Sequence, residues 1–122
     1  MTEEPRSAGE EVDHVLAALA DPTRRKVLDL LAAQGEATAT TLAERLPISR
    51  QAVVKHLAVL DAAGLASASR VGREARYAVQ PAALDATARW MAALAADWDR
   101  RLAKIKRVAE AADRDSRSTR HD

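Results

Sequence analysis

Bulky apolar residues recur along this chain at three spacings, and each spacing predicts an element. Val12, Val15, Leu16 and Leu19 stand at i, i+3, i+4 and i+7, one face of a helix of about ten residues. Asp21-Pro22 ends it and starts a second: Asp21 is suited to capping, and Pro22 takes the first helical position, where a missing N–H costs nothing. Val27, Leu28 and Leu31 form the buried stripe of that helix up to Gly35. Thr38 is the N-cap of a short third helix through Leu42 and Leu46, which Pro47 breaks. Ser49 caps a fourth, with Val53, Leu57 and Leu60 on one face and Gly64 where a left-handed C-terminal residue belongs.

The period then changes. Residues 65–70 and 75–79 alternate roughly apolar with polar around Val71-Gly72-Arg73-Glu74, which predicts a β-hairpin with a glycine-containing turn. From Pro81 a long helix follows, in which Leu84, Met91, Trp98 and Ile105 repeat every seven residues and Leu94 and Leu102 widen the stripe. Residues 1–10 and 111–122, polar and nearly free of bulky apolar side chains, are expected to be a disordered arm and tail around one domain over 11–110. No internal repeat is evident. The fold class is mainly α with a small β-hairpin, in the order α-α-α-α-β-β-α.

Composition narrows the field. The length of 122 residues suits one domain, and alanine supplies 29 residues of a chain that is 48% hydrophobic. With no Phe, two Trp and one Tyr, the core is thin, so helix packing with a partner chain is expected. The absence of cysteine removes disulfides, thiolate metal sites and cysteine nucleophiles. No charge-free stretch exceeds eight residues, far short of a membrane span, and the N-terminus lacks a basic, apolar signal pattern. A soluble, cytoplasmic protein without a membrane partner is the expectation. The net charge of +1 hides a local excess: residues 49–80 carry five basic side chains against two acidic ones, which is compatible with a nucleic-acid footprint and equally with a solvated surface. An enzyme is disfavoured, because there is no glycine-rich phosphate loop and the three histidines fall on separate elements.

The third and fourth helices meet across Leu46-Pro47-Ile48-Ser49, the form of a helix-turn-helix, and a hairpin bearing Arg70, Arg73 and Arg76 follows. That order is a winged helix. Four stretches carry a closer likeness: Ala18-Leu19-Ala20-Asp21-Pro22-Thr23-Arg24-Arg25, Leu42-Ala43-Glu44-Arg45-Leu46, residues 49–57 from Ser49-Arg50-Gln51 to Lys55-His56-Leu57, and Leu60-Asp61-Ala62-Ala63-Gly64-Leu65. In this order and spacing, ahead of a Gly-Arg wing, they resemble the ArsR (arsenical-resistance repressor) family of bacterial transcriptional regulators over about residues 11–108. The resemblance implies a homodimeric repressor whose first and last helices form the dimer interface. On this chain that interface is Val12, Val15, Leu16 and Leu19 with Leu84, Met91, Leu94, Trp98, Leu102 and Ile105. A twofold dimer is expected to read a palindromic operator of double-stranded DNA with two recognition helices about one helical turn apart.

At 100° per residue, the fourth helix leaves Gln51, Val54, Lys55 and Ala58 opposite its apolar face. Gln51 suits adenine, Val54 a thymine methyl, Lys55 a phosphate, and Arg50 either guanine or phosphate. The family often carries a small hydroxyl residue where Val54 stands, so base preference does not transfer. Ser49 is foremost an N-cap, with a phosphate contact compatible with that role. His56, at the edge of the buried face, is packed or phosphate-facing rather than a metal ligand. Thr40 on the third helix caps, solvates or meets phosphate, and Arg70, Arg73 and Arg76 suit the minor groove or the backbone. Many relatives sense metal through Cys-x-Cys on the third helix or His and carboxylates on the last; this chain has neither, so a metal-independent branch, no metal and no cofactor are expected. Trp90 and Trp98 match tryptophans of that branch. The competing reading is a winged-helix module that binds another protein rather than DNA.

Overall fold

A computed structural model of the chain describes residues 7–120. Helix α1 (Ala8–Leu19) begins three residues before the segment expected to be ordered, because Ser7 caps it: its hydroxyl accepts from the Glu10 N–H at 3.2 Å, and Glu10 and Glu11 place negative charge in the first turn. The expected disorder of residues 1–10 therefore gives way to helix from Ala8, and residues 1–6 lie outside the described residues.

Helix α2 (Pro22–Gln34) starts as expected. The Asp21 carboxylate accepts from the N–H groups of Thr23 at 2.9 Å and Arg24 at 3.2 Å, and Pro22 occupies the first turn. Two side chains of that turn reach backwards: Arg24 donates to the Ala18 carbonyl at 3.0 Å and Arg25 to the Leu19 carbonyl. They satisfy carbonyls that the end of α1, which has no basic residue in its last turn, leaves open.

A strand absent from the sequence reading follows. β1 (Ala37–Thr38) is two residues long, too short to show any alternation. Helices α3 (Ala39–Glu44) and α4 (Arg50–Ala62) come next, capped by Thr38 and Ser49. Past α4, Gly64 takes φ +78° and the Leu65 N–H reaches back to the Leu60 carbonyl at 2.8 Å, which closes the helix end. Strands β2 (Ala66–Val71) and β3 (Glu74–Val79) pair antiparallel from Ala66–Val79 to Val71–Glu74, leaving a two-residue loop. Gly72 has φ +66° while Arg73 does not have positive φ, the pattern of a hairpin turn with glycine first. β1 adds to the free edge of β3 through Ala37–Tyr77 and Thr38–Arg76, giving the sheet order β1-β3-β2.

The core joins Val15 and Ala18 of α1, Val27, Leu28 and Leu31 of α2, Leu42 of α3 and Val53, Leu57 and Leu60 of α4, with Leu65 and Ala66 beneath the hairpin. This corrects part of the expected dimer face. Val12 and Val15 are buried in the chain's own fold, because α1 lays that stripe against α2 and α4. Leu19 and Leu84 are partly buried against the same core, whereas Leu16 is exposed.

Helix α5 (Ala82–Arg120) is 39 residues long. The chain divides into two compact units, one through Ala88 and one from Arg89 onward. In the first, Ala83 and Leu84 pack on the core and the buried Thr87 hydroxyl donates to the Ala83 carbonyl at 2.8 Å. In the second, Trp90, Met91, Leu94, Trp98, Leu102, Ile105 and Val108 are all exposed, and the Arg101 guanidinium lies 5.4 Å from the centre of the Trp98 ring. The tail expected to be disordered from 111 is helical through Arg120. No proline or glycine follows Pro81, alanines fill 109, 111 and 112, and Arg117 pairs with Asp113 at 3.0 Å one turn away.

Candidate nucleic-acid interface

The surface of interest is built on α4. Ser49 stands in extended backbone, φ −70° and ψ 157°, and its hydroxyl accepts from the Ala52 N–H at 3.1 Å, so its capping role is realised. The helix it starts buries Val53, Leu57 and Leu60 completely. That burial fixes the rotation of α4 and leaves Gln51, Val54, Lys55 and Ala58 outward, as helical spacing predicts. Val54 is 38% exposed, an apolar spot among polar neighbours.

His56 does not join that row. It is half-buried, its Nδ1 is shielded from solvent without a hydrogen-bond partner among the described residues, and its charge acts on Asp21 at the α1–α2 junction. The Asp21 carboxyl is held below its usual value of 3.8. The Arg24 N–H is the largest cause, with Thr23 N–H and the charges of Arg24 and His56 adding to it against the opposing effect of burial.

Arg50, in the first turn of α4, is drawn sideways. Its Nε donates to the Thr40 hydroxyl of α3 at 3.1 Å. Both residues line a cleft of about 290 Å³ together with Val54, Arg70, Arg73 and Tyr77. The cleft thus gathers side chains from α3, α4, β2, β3 and the wing turn. Glu74 supplies its one carboxylate. Arg76 is not brought to it: on β3 it alternates with Ala75 and Tyr77 and borders a separate depression with Glu36, Thr41 and Glu74. The wing arginines expected to act together are therefore split between two faces. Tyr77 is legible in the sequence only as a strand residue; it shares a face of β3 with Ala75, which pairs with Arg70, and that common face brings it to the cleft.

Among the described residues, no group of three or more His, Asp or Glu side chains is placed to hold a metal ion, and no helix is long and apolar enough to cross a membrane.

A helix-turn-helix followed by a two-stranded basic wing defines a winged helix-turn-helix protein. The helix-turn-helix domain family matches residues 19–67. The transcriptional repressor SdpR of Bacillus subtilis is 38% identical over 80 residues, which is 66% of this chain and 88% of that protein. Among solved structures, an ArsR-like transcriptional regulator from Rhodococcus sp. RHA1 is 48% identical with a TM-score of 0.75, covering 82% of this chain and 93% of that one. A homodimeric winged helix-turn-helix DNA-binding domain from Mycobacterium bovis, described as a possible ArsR-family regulator, is 28% identical with a TM-score of 0.56, over 81% and 91% of the two chains. The chain belongs to the ArsR family of transcriptional regulators.

Proposed function

We propose that this protein is a sequence-specific DNA-binding repressor that acts as a homodimer on a palindromic operator. The observation that carries the reading is the outward row Gln51, Val54 and Lys55 on a capped, rotationally fixed α4 beside the Arg70–Arg73 wing. α4 enters the major groove, where Gln51 matches adenine and Val54 a thymine methyl, while Lys55 and the wing hold phosphates. Repression is supported by the likeness to SdpR, and dimer formation by the homodimeric relative.

Each subunit offers its partner the exposed Leu16 of α1 and the stripe Met91, Leu94, Trp98, Leu102 and Ile105 of α5. Side chains of this size are rarely left in water along about four turns of one helix face. Twofold symmetry then sets the two reading helices about 34 Å apart, one turn of duplex.

Titration of the full chain with genomic fragments, its own promoter included, tests the reading. Selective binding to a subset of fragments, weakening steeply as salt rises, is expected. Equal affinity for every fragment, or none at modest ionic strength, overturns it in favour of a protein-binding module.

A further inference from the structure

We propose that the cleft between α3, α4 and the wing is a seat for a single phosphate group, in which Arg50 is the clamp and Thr40 the residue that positions it. The proposal deepens the DNA-binding reading for a backbone phosphate and extends it to a free phosphate ion, which has the same chemistry.

Charge is the first support. Arg50, Arg70 and Arg73 converge from a helix, a strand and a turn on about 290 Å³, with Glu74 as the single opposing carboxylate. None of the three arginines makes an ion pair with any described residue. Like charges gathered in a concave site repel one another, and a bound anion relieves that repulsion.

Geometry is the second. A guanidinium has five N–H donors in a rigid fork, and the bond from Arg50 Nε to Thr40 Oγ1 uses one of them. The four on Nη1 and Nη2 remain, in the paired arrangement that fits two oxygens of a phosphate. The bond also removes much of the rotamer freedom that a long exposed side chain otherwise loses on binding. Its direction decides between the two partners that helical spacing leaves open for Arg50. Tied to α3, Arg50 stands outside the row of Gln51 and Lys55 and lines the cleft, where the wing arginines stand. Base edges are uncharged; an excess of cationic groups in a pocket that meets that row only at Val54 suits phosphate. Tyr77 also lines the cleft.

Two arms test this on the full chain. In the first, inorganic phosphate is titrated into the free protein while the Arg50 Nε–H resonance is followed by NMR. A saturable shift that sodium chloride at equal ionic strength does not reproduce is expected. Thr40→Val weakens the apparent affinity about fivefold, the scale of one hydrogen bond, and Thr40→Ser restores it. In the second, operators selected with the wild-type protein are bound by Arg50→Ala. Affinity falls by the same factor on every single-base variant, and the slope of log affinity against log salt decreases by about one.

Absence of a saturable phosphate response, a Thr40→Val protein indistinguishable from wild type, or a loss concentrated at one base pair overturns the proposal. A wild-type protein that selects no operator overturns the function proposed above instead, and the phosphate arm still decides whether the cleft is an anion seat.

Discussion

At the scale of single residues, the outward face of α4 separates groups that read sequence from groups that hold the duplex. Gln51 and Lys55 are both exposed and one turn apart, yet their chemistry differs. A glutamine amide offers a donor and an acceptor side by side, matching the adenine edge, whereas an ammonium is a point charge indifferent to the base. Lys55→Ala is expected to weaken binding to all sequences and lower the salt slope by about one. Gln51→Ala is expected to relax preference at one base pair, by about 1–3 kcal/mol of discrimination. Fluorescence anisotropy over single-base operator variants at several salt concentrations separates the two, and an equal loss on every variant refutes the Gln51 role. Exposure of these side chains was legible in the sequence because Val53, Leu57 and Leu60 alone fix the helix rotation. The role of Arg50 was not, because the hydroxyl that holds it lies ten positions earlier, on another helix.

At the scale of elements, boundaries follow from caps that act over three or four residues, and Asp21 shows how one can be tested. Its carboxyl titrates lower in the folded chain than in an unfolded one. A group with a depressed folded pKa contributes stability that is present above its unfolded value and is lost as pH falls through the folded value. Wild-type stability, measured as the urea midpoint, is therefore expected to decline below about pH 4 more steeply than that of Asp21→Asn, which keeps an acceptor at the cap but cannot titrate there. Parallel declines in the two proteins would show that the Asp21 charge adds nothing. The caps at Asp21, Thr38 and Ser49 were readable because donor and acceptor are neighbours in the chain. The cap at Ser7 is equally local, but a polar composition hid it. Composition misled at the other end too, where charge pairs such as Asp113–Arg117 carry the helix through residues with no apolar face.

At the scale of the whole molecule, the thin core foreseen from 29 alanines resolves into two facts: the unit through Ala88 closes its own small interior, and the helix beyond it leaves its large side chains in water. Trp98 is 51% exposed and Ile105 63%. If these side chains are covered by a second copy, Leu94→Asp places an unpaired charge in the interface and yields monomers in sedimentation velocity, with operator affinity lost alongside. Since Leu94 is exposed in the single chain, the variant retains the core of the unit through Ala88. A stable Leu94→Asp dimer would place the interface elsewhere. The sequence by itself determined the helices, their caps, the helix-turn-helix and the glycine turn of the wing, since each depends on groups a few residues apart and on a period that marks one face as apolar. It did not say what each face meets. That Val12 and Val15 turn inward, that β1 joins the edge of β3, and that Arg50, Arg70 and Arg73 share one cleft while Arg76 does not were decided only by tertiary structure. Those contacts join segments distant in the chain, and an apolar stripe satisfied by its own fold has the same spacing as one awaiting a partner.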